Sequence, residues 1–209
     1  EMLQDVFVAT DSNEIADVVT KYNGNVIMTS KDHQTGTDRI AEAARTIDAE
    51  IIVNIQGDEA LVKPKHIDIA INCLLERYDI ANVAILVNSF NKFNSDSDIK
   101  VVLNEKKEVM YFSRSDIPSN SRINHQNLLK AYHVVPFKKS FLLEFSDWDE
   151  TDLEKIEFIE FMRILEKGHK IVTEQVESSA LSVDTHEDLE FVRAQMKNDV
   201  TFNKYKDIV

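Results

Sequence analysis

Three observations predict a mixed α/β fold. Short β-branched runs lack polar alternation, helical segments lie between them at close spacing, and hairpin chemistry takes over near residue 99. Runs of this kind suit strands buried on both faces of a parallel sheet. VFVAT (6–10) ends in Asp11, and the stretch after it pairs Asp11 with Glu14 at capping-box spacing. Ile15, Val18 and Val19 then form an apolar stripe, and Asn23-Gly24 reads as a helix stop before a strand over 25–28. The polar loop TSKDHQTGTDR follows. It runs into a helix with Ile40, Ala43, Ala44 and Ile47 inward and with Thr37, Asp38 and Arg39 in its first turn. Exposed amides there, beside a hydroxyl and a guanidinium, suit a base or phosphate oxygen, although a Thr-Asp pair also serves as a plain cap.

IIVNIQGDE (51–59) is the central stretch. A buried strand leads into a turn in which Gly57 supplies conformational freedom and Asp58 follows at once. Ligands of open α/β sheets sit beyond the carboxyl ends of strands. Asp58 is therefore placed either to hold a hard cation or sugar hydroxyl, or to cap the turn. Pro64 opens a helix reaching about Tyr78, with Ile67, Ala70, Ile71, Leu74 and Leu75 inward. NVAILV (82–87) is the next strand, and 88–98 reads as a surface loop.

IKVVLN and VMYFSR flank NEKKE as an antiparallel hairpin, which places a β-rich insertion at 99–140 within a single domain spanning 1–209. Residues 121–129 read as a loop, and 131–137 as one strand that Pro136 assigns to an edge. Thr151 and Glu154 open a continuous helix to Lys167, with Leu153, Ile156, Ile159, Met162 and Leu165 inward, and Gly168 ends it. A strand over 171–176, an apolar approach to Asp184 and a helix from Thr185 complete the chain.

Composition narrows the function. A net charge of −13 leaves no basic surplus for a nucleic-acid partner. No apolar run is long enough to span a membrane, and the reading is a cytoplasmic protein. The single cysteine, Cys73, excludes a disulfide framework. Neither a G-x-G-x-x-G fingerprint nor a P-loop is present. What remains is two aspartates after short apolar runs, Asp58 and Asp184, which could share a magnesium ion if the fold brings them together.

Taken in order, VFVATDS, NVIMTSKDHQTGTDRIAE, IIVNIQGDEALVKP, KVVLN, YFSRSDIP, RILEKGHKI and SVDTHEDLEFVR resemble the cytidylyltransferases that activate 3-deoxy-manno-octulosonate (Kdo). The resemblance implies a three-layer, glycosyltransferase-A-like α/β sandwich that dimerises with a second copy through the β-rich insertion. It implies CTP and a sugar acid as substrates, Mg2+ as cofactor and a place in lipopolysaccharide biosynthesis. By the same carry-over Asp58 and Asp184 are the catalytic metal ligands. Gly36, Thr37, Arg39 and Gln56 belong to the nucleotide pocket, and Arg114, Glu157 and Glu160 to the sugar acid.

Two departures accompany it. The family opens with a strand and a basic loop, PAR-x-x-S-x-R-L-P-x-K, that this sequence lacks, so a fragment is expected, with a natural non-catalytic homologue as the alternative. A nucleotidyltransferase acting on another sugar is the nearest enzymatic alternative. Where relatives carry R-H-I-G-I-Y-A-Y this chain has KAYHVVPF, placing Ala131 at the His and Val135 at an aromatic. Phe161 replaces a Gln, while Glu154, Glu157, Glu160 and Arg163 match. These changes imply a variant sugar acid such as 8-amino-Kdo or a nonulosonate.

Overall fold

The computed structural model describes residues 2–90, 97–119, 121–122, 128–178 and 182–205. The chain opens with β1 (Phe7–Thr10), α1 (Asn13–Lys21), β2 (Asn25–Met28) and α2 (Gly36–Ala44). Next come β3 (Ile51–Ile55), α3 (Pro64–Leu75), β4 (Val83–Phe90), β5 (Lys100–Leu103) and β6 (Val109–Ser113). Then follow β7 (Leu128–Tyr132), β8 (Val134–Lys138), α4 (Lys139–Ser146), α5 (Asp152–Glu157) and α6 (Met162–Glu166). The last elements are β9 (Ile171–Val176), α7 (His186–Met196) and α8 (Phe202–Tyr205). Two compact units result. One gathers residues 1–49, 56–62 and 180–209, the other 50–55 and 63–179.

In the first unit β1 and β2 pair in parallel, Phe7 opposite Asn25 and Thr10 opposite Met28, with α1 as the crossover. The cap of α1 is Ser12, whose hydroxyl accepts from the Ile15 amide at 3.4 Å, rather than the Asp11–Glu14 box the spacing predicts. Asn23 takes the left-handed conformation (φ 57°) that stops the helix. A Cβ at Gly24 would fall 2.7 Å from Val19 Cγ1, so glycine is required there by close approach. The predicted stripe is not inward: Ile15 is 49% exposed and Val18 57%. The two strands are less covered than their apolar runs predict. A two-stranded sheet has few neighbours to bury it. α2 forms where expected, capped by the Thr35 hydroxyl, and buries Ala43 and Ala44 as predicted together with Thr37 and Ala41, while Ile40 and Ile47 are only half-buried.

The second unit is built on a seven-stranded mixed sheet, β3-β8-β4-β7-β5-β6, with β9 parallel to β4. The single strand expected over 131–137 is a run that bends at His133. β7 pairs with β4 (Leu86 opposite Tyr132), and β8 then leaves β4 for β3 (Val53 opposite Pro136). Pro136 is therefore not on an edge strand. Lys138 donates its amide to Asn82 and Lys139 to Glu50, so alternation turns the Pro136 nitrogen toward the β4 side. There the β4 pairing has dwindled to Val83 opposite Phe137, and no ladder bond is lost.

The hairpin forms as predicted. β5 and β6 are antiparallel, and Asn104 Oδ1 accepts from the amides of Lys106 and Glu108 to close the turn. β5, β6, β7 and β8 all extend the main sheet. α3 packs on β4, β8 and β9, burying Ile67, Ala70, Ile71 and Leu74 but leaving Leu75 exposed. Cys73 joins Leu74, Ala81, Ala84 and Val172 in this core, and burial pushes its thiol up to about 11. α4, on a stretch with no predicted element, buries Phe141, Leu142 and Phe145. Parts of the predicted loops at 88–98 and 121–129 lie outside the described residues.

The continuous helix expected over 151–167 is instead two short ones. Phe158 ends α5 in the left-handed region (φ 56°, ψ 47°), and α6 begins at Met162. The break turns Ile156 outward, 75% exposed, against its predicted inward place. Tertiary bonds explain it. Glu154 is buried against Arg163 (Nη2 to Oε1 2.6 Å), and Glu157 is drawn onto β6.

Candidate active site

In the first unit the turn after β3 meets the segment ahead of α7. The Val183 amide donates to the Asp58 carbonyl at 3.2 Å, and the Ser182 hydroxyl donates to Glu59 Oε1 at 3.2 Å. These bonds bring the two sequence-predicted aspartates onto neighbouring strips of backbone. The turn itself is tight, with the Glu59 amide on the Gln56 carbonyl and the Ala60 amide on the Asp58 carbonyl. Gly57 is not held at positive φ, and a Cβ there would touch nothing within 4 Å. Its contribution is bare backbone rather than the conformational freedom expected.

Asp58 is half-buried, and its Oδ1 is shut off from solvent without a hydrogen-bond partner. A buried carboxylate oxygen left unpaired is costly unless a cation or ligand donor completes it. Asp184 is exposed, and its amide donates to Asp188 Oδ2. The same carboxylate closes a capping box with Thr185, which fixes the N-cap of α7 one residue past Asp184. Among the described residues no group of three His, Cys, Asp or Glu side chains forms a ready-made metal cage. Two carboxylates with room for substrate oxygens is the donor set magnesium takes, since that ion keeps water and phosphate ligands.

Gly36, Thr37 and Arg39 open α2 in the same unit, Thr37 fully buried and Gly36 exposed with open space over its Cα. Arg39 reaches back to the ends of both strands. It donates to Thr29 Oγ1 at 2.7 Å and to the Ser30 carbonyl at 3.2 Å, and pairs with Asp11 Oδ1 at 3.3 Å. Beside it Glu42 accepts from the Ser30 amide and contacts His33 Nε2, and the His33 bond holds its carboxyl below the usual range. Sequence reasoning noted Asp11 only as a cap and missed Glu42 and His33. The available signal was Glu42 lying one helical turn past Arg39 on the same face. Gln56 is exposed at the start of the turn after β3.

The residues assigned to the sugar acid lie in the second unit, where Arg114 and Glu157 bond to each other's backbone. Glu157 accepts from Tyr111 OH (3.2 Å), Ser113 Oγ (3.0 Å) and the Arg114 amide (3.0 Å). Arg114 Nε donates to the Glu157 carbonyl and Nη2 to the Phe158 carbonyl, with the guanidinium over the Phe158 ring. Burial and the Glu157 charge push the Tyr111 hydroxyl up. Glu160 is half-buried between the two short helices. The three departure positions lie in apolar core. Ala131 and Val135 are buried, and the Phe161 ring packs among Phe112, His133 and Phe137. Burial, then Lys130 and Arg114, push His133 down to about 4.

The comparisons with known proteins bear on this arrangement. Residues 1–171 match the family model described as cytidylyltransferase. The chain belongs to the cytidylyltransferase family. It is 35% identical to the 3-deoxy-manno-octulosonate cytidylyltransferase of Geotalea daltonii, over 94% of this chain and 83% of that one. It is 39% identical to the enzyme of the same name from Trichlorobacter lovleyi, over 91% and 81%. Among solved structures it is similar to a CMP:2-keto-3-deoxy-manno-octonic acid synthetase complexed with CTP. That match has a TM-score of 0.89 at 31% identity and covers 94% of this chain and 82% of that one.

The α/β class with a mixed sheet, read from the strand runs, is thus the nucleotide-sugar transferase-like fold of these cytidylyltransferases. Within it the QGDE turn and the SVDTHEDLE segment, remote in sequence, are joined by the Asp58–Val183 bond. No helix among the described residues is long and apolar enough to cross a membrane.

Proposed function

We propose that this cytidylyltransferase activates a 3-deoxy-2-ulosonic sugar acid, Kdo or a close variant, with CTP. The anomeric hydroxyl oxygen of the sugar acid attacks the α-phosphorus of CTP. The bond from that phosphorus to the β-bridging oxygen breaks, pyrophosphate leaves, and the hydroxyl proton passes to solvent. The product is a CMP-sugar acid for lipopolysaccharide or surface-glycan assembly. The reading is supported by the 0.89 TM-score to a synthetase complexed with CTP and by the bond that joins the two aspartate segments.

Asp58 and Asp184 would hold the magnesium ion, with the unpartnered Oδ1 of Asp58 as the oxygen best prepared for it. Bound there, a divalent cation supplies charge stabilisation to the transferring phosphate and orients the attacking oxygen. Gly36, Thr37, Arg39 and Gln56 bind the nucleotide. The α2 start offers helix-end amides, and Arg39, braced on Thr29 and Asp11, keeps its remaining donors directed at one place. Arg114 and Glu157, fixed by each other's backbone, and Glu160 orient the sugar acid. The enzyme works in the cytoplasm as a homodimer, with the 99–140 stretch as the surface of self-association.

The test is pyrophosphate release from CTP and magnesium, with Kdo and 8-amino-Kdo supplied in parallel. Turnover with either sugar supports the reading, and the preferred one identifies the substrate. Absence of turnover with both sugars, when another nucleotide or sugar is turned over, would overturn it.

A further inference from the structure

His133 belongs to neither of the strands it joins. Tyr132, the last residue of β7, is paired opposite Leu86, and Val134, the first of β8, opposite Ile55. A residue left over between two registers is freed from the pleat, and irregularities of this kind, like β-bulges, recur beside active sites because they re-aim a side chain. Here the side chain so placed is polar in apolar company. Ala131 and Val135 on either side are buried, and the imidazole lies 6.4 Å from the Phe161 ring. Phe112 and Phe137 pack on Phe161 in turn.

Among the described residues neither ring nitrogen of His133 has a hydrogen bond. The residue is half-buried rather than sealed, so a ligand can reach it. A polar group crowded by protein and left without a partner is costly until something completes it. Its surroundings are those of the residues proposed for the sugar acid. Phe161 directly follows Glu160, and the other end of the same short linker, at Phe158, is held by Arg114 through the Glu157 and Phe158 carbonyls. Arg114 and His133 therefore flank one linker. Burial, then the Lys130 and Arg114 charges, keep a proton off the imidazole, which leaves one nitrogen a donor and the other an acceptor.

From this placement we infer that His133 is a further residue of the sugar-acid site and selects the substrate by hydrogen-bonding a hydroxyl group of the sugar. The inference rests on the reading of Arg114, Glu157 and Glu160 as the sugar-acid residues. A hydroxyl both donates and accepts, as a neutral imidazole does, whereas a carboxylate calls for the fixed cation that Arg114 supplies. The two side chains thus divide the substrate, one holding the acid and the other reading the sugar.

The experiment is NMR of histidine-labelled full chain with CMP present, which fills the nucleotide pocket without turnover. Kdo and 8-amino-Kdo are titrated separately, with sodium acetate as the control for a carboxylate alone. The His133 ring signals are expected to move saturably with at least one sugar acid and not with acetate. His133→Phe keeps a ring against Phe161 and removes both nitrogens. By calorimetry it should weaken sugar-acid binding about tenfold or more, the scale of one lost hydrogen bond, and leave CMP binding unchanged. Ring signals unmoved by both sugar acids, or binding by His133→Phe as tight as the parent's, would overturn the inference. Pyrophosphate release by a parent whose His133 signals stay still would sink this inference and leave the proposed reaction standing. Signals that move without any release would do the reverse.

Discussion

Arg163 grips Glu154 through two parallel bonds, Nε to Oε2 at 2.8 Å and Nη2 to Oε1 at 2.6 Å, with both side chains almost wholly buried. The guanidinium also donates to the Trp148 carbonyl at 2.8 Å and lies over the Phe145 ring. Removing one partner of such a pair strands a charge in the core, which costs roughly 3–5 kcal/mol. Arg163→Met should therefore lower unfolding stability by that order in urea titration. Glu154→Leu combined with Arg163→Met should recover most of the loss. A double variant no more stable than the single one would show that the pair does more than neutralise itself.

Asp58→Asn and Asp184→Asn each remove the charge of a proposed magnesium ligand without changing side-chain volume. Each is expected to lower pyrophosphate release at least about a hundredfold, on the scale of losing one electrostatic stabiliser of a transition state. Circular dichroism and melting temperature should stay near the parent's. Asp58→Asn should not melt lower, because its buried Oδ1 has no partner to lose. Near-parental turnover by either variant would remove it from the metal site.

His133 is held neutral, its pKa pushed from 6.5 down to about 4, mainly by burial. Between those values the unfolded chain binds a proton that the folded chain refuses, so stability rises with pH across that window. It is fully present above 6.5 and is lost as pH falls toward 4. At pH 5 the loss is about 2 kcal/mol on the scale of 1.36 per pKa unit. His133→Gln should flatten this part of the stability profile in urea titrations at pH 5 and pH 7. An unchanged profile would assign the acid sensitivity elsewhere.

Phe158 adopts the left-handed region while 81% exposed, so its ring adds little burial to offset the strain. A non-glycine residue there costs about 1–2 kcal/mol, and glycine recovers part of that after its own entropy cost. Phe158→Gly is expected to leave stability unchanged or raise it by up to about 1 kcal/mol. A fall larger than that, measured by chemical denaturation, would mean the contact with Arg114 outweighs the strain.

Periodicity made the strands and most helices readable, because each depends on residues within its own window. Asn23-Gly24, Pro64 and Thr185 marked their ends correctly for the same reason. Helix 151–167 was misread because Phe158 carries no local sign of a break. The bonds that favour the break come from Ser113 at the end of β6, from Arg114 just past it and from Arg163 across the kink. The bend at His133 likewise depends on a change of partner from β4 to β3. Asp58 and Asp184 were singled out only as carboxylates after short apolar runs, and spacing could not join them. The bond from Val183 to Asp58 spans most of the sequence and appears only in the folded chain.

The first unit is assembled from three separate stretches, the last of them residues 180–209. During synthesis the ribosome delivers β1, α1, β2, α2 and the Asp58 turn before most of the large sheet, and the segment that bonds to that turn after it. The second unit has nearly all its chain in hand before then. A nascent or prematurely terminated chain can thus own every strand of the large sheet and still lack the pairing at Asp58. Cutting the chain before Ser182 should therefore remove the Val183–Asp58 bond while leaving every strand of the main sheet in place.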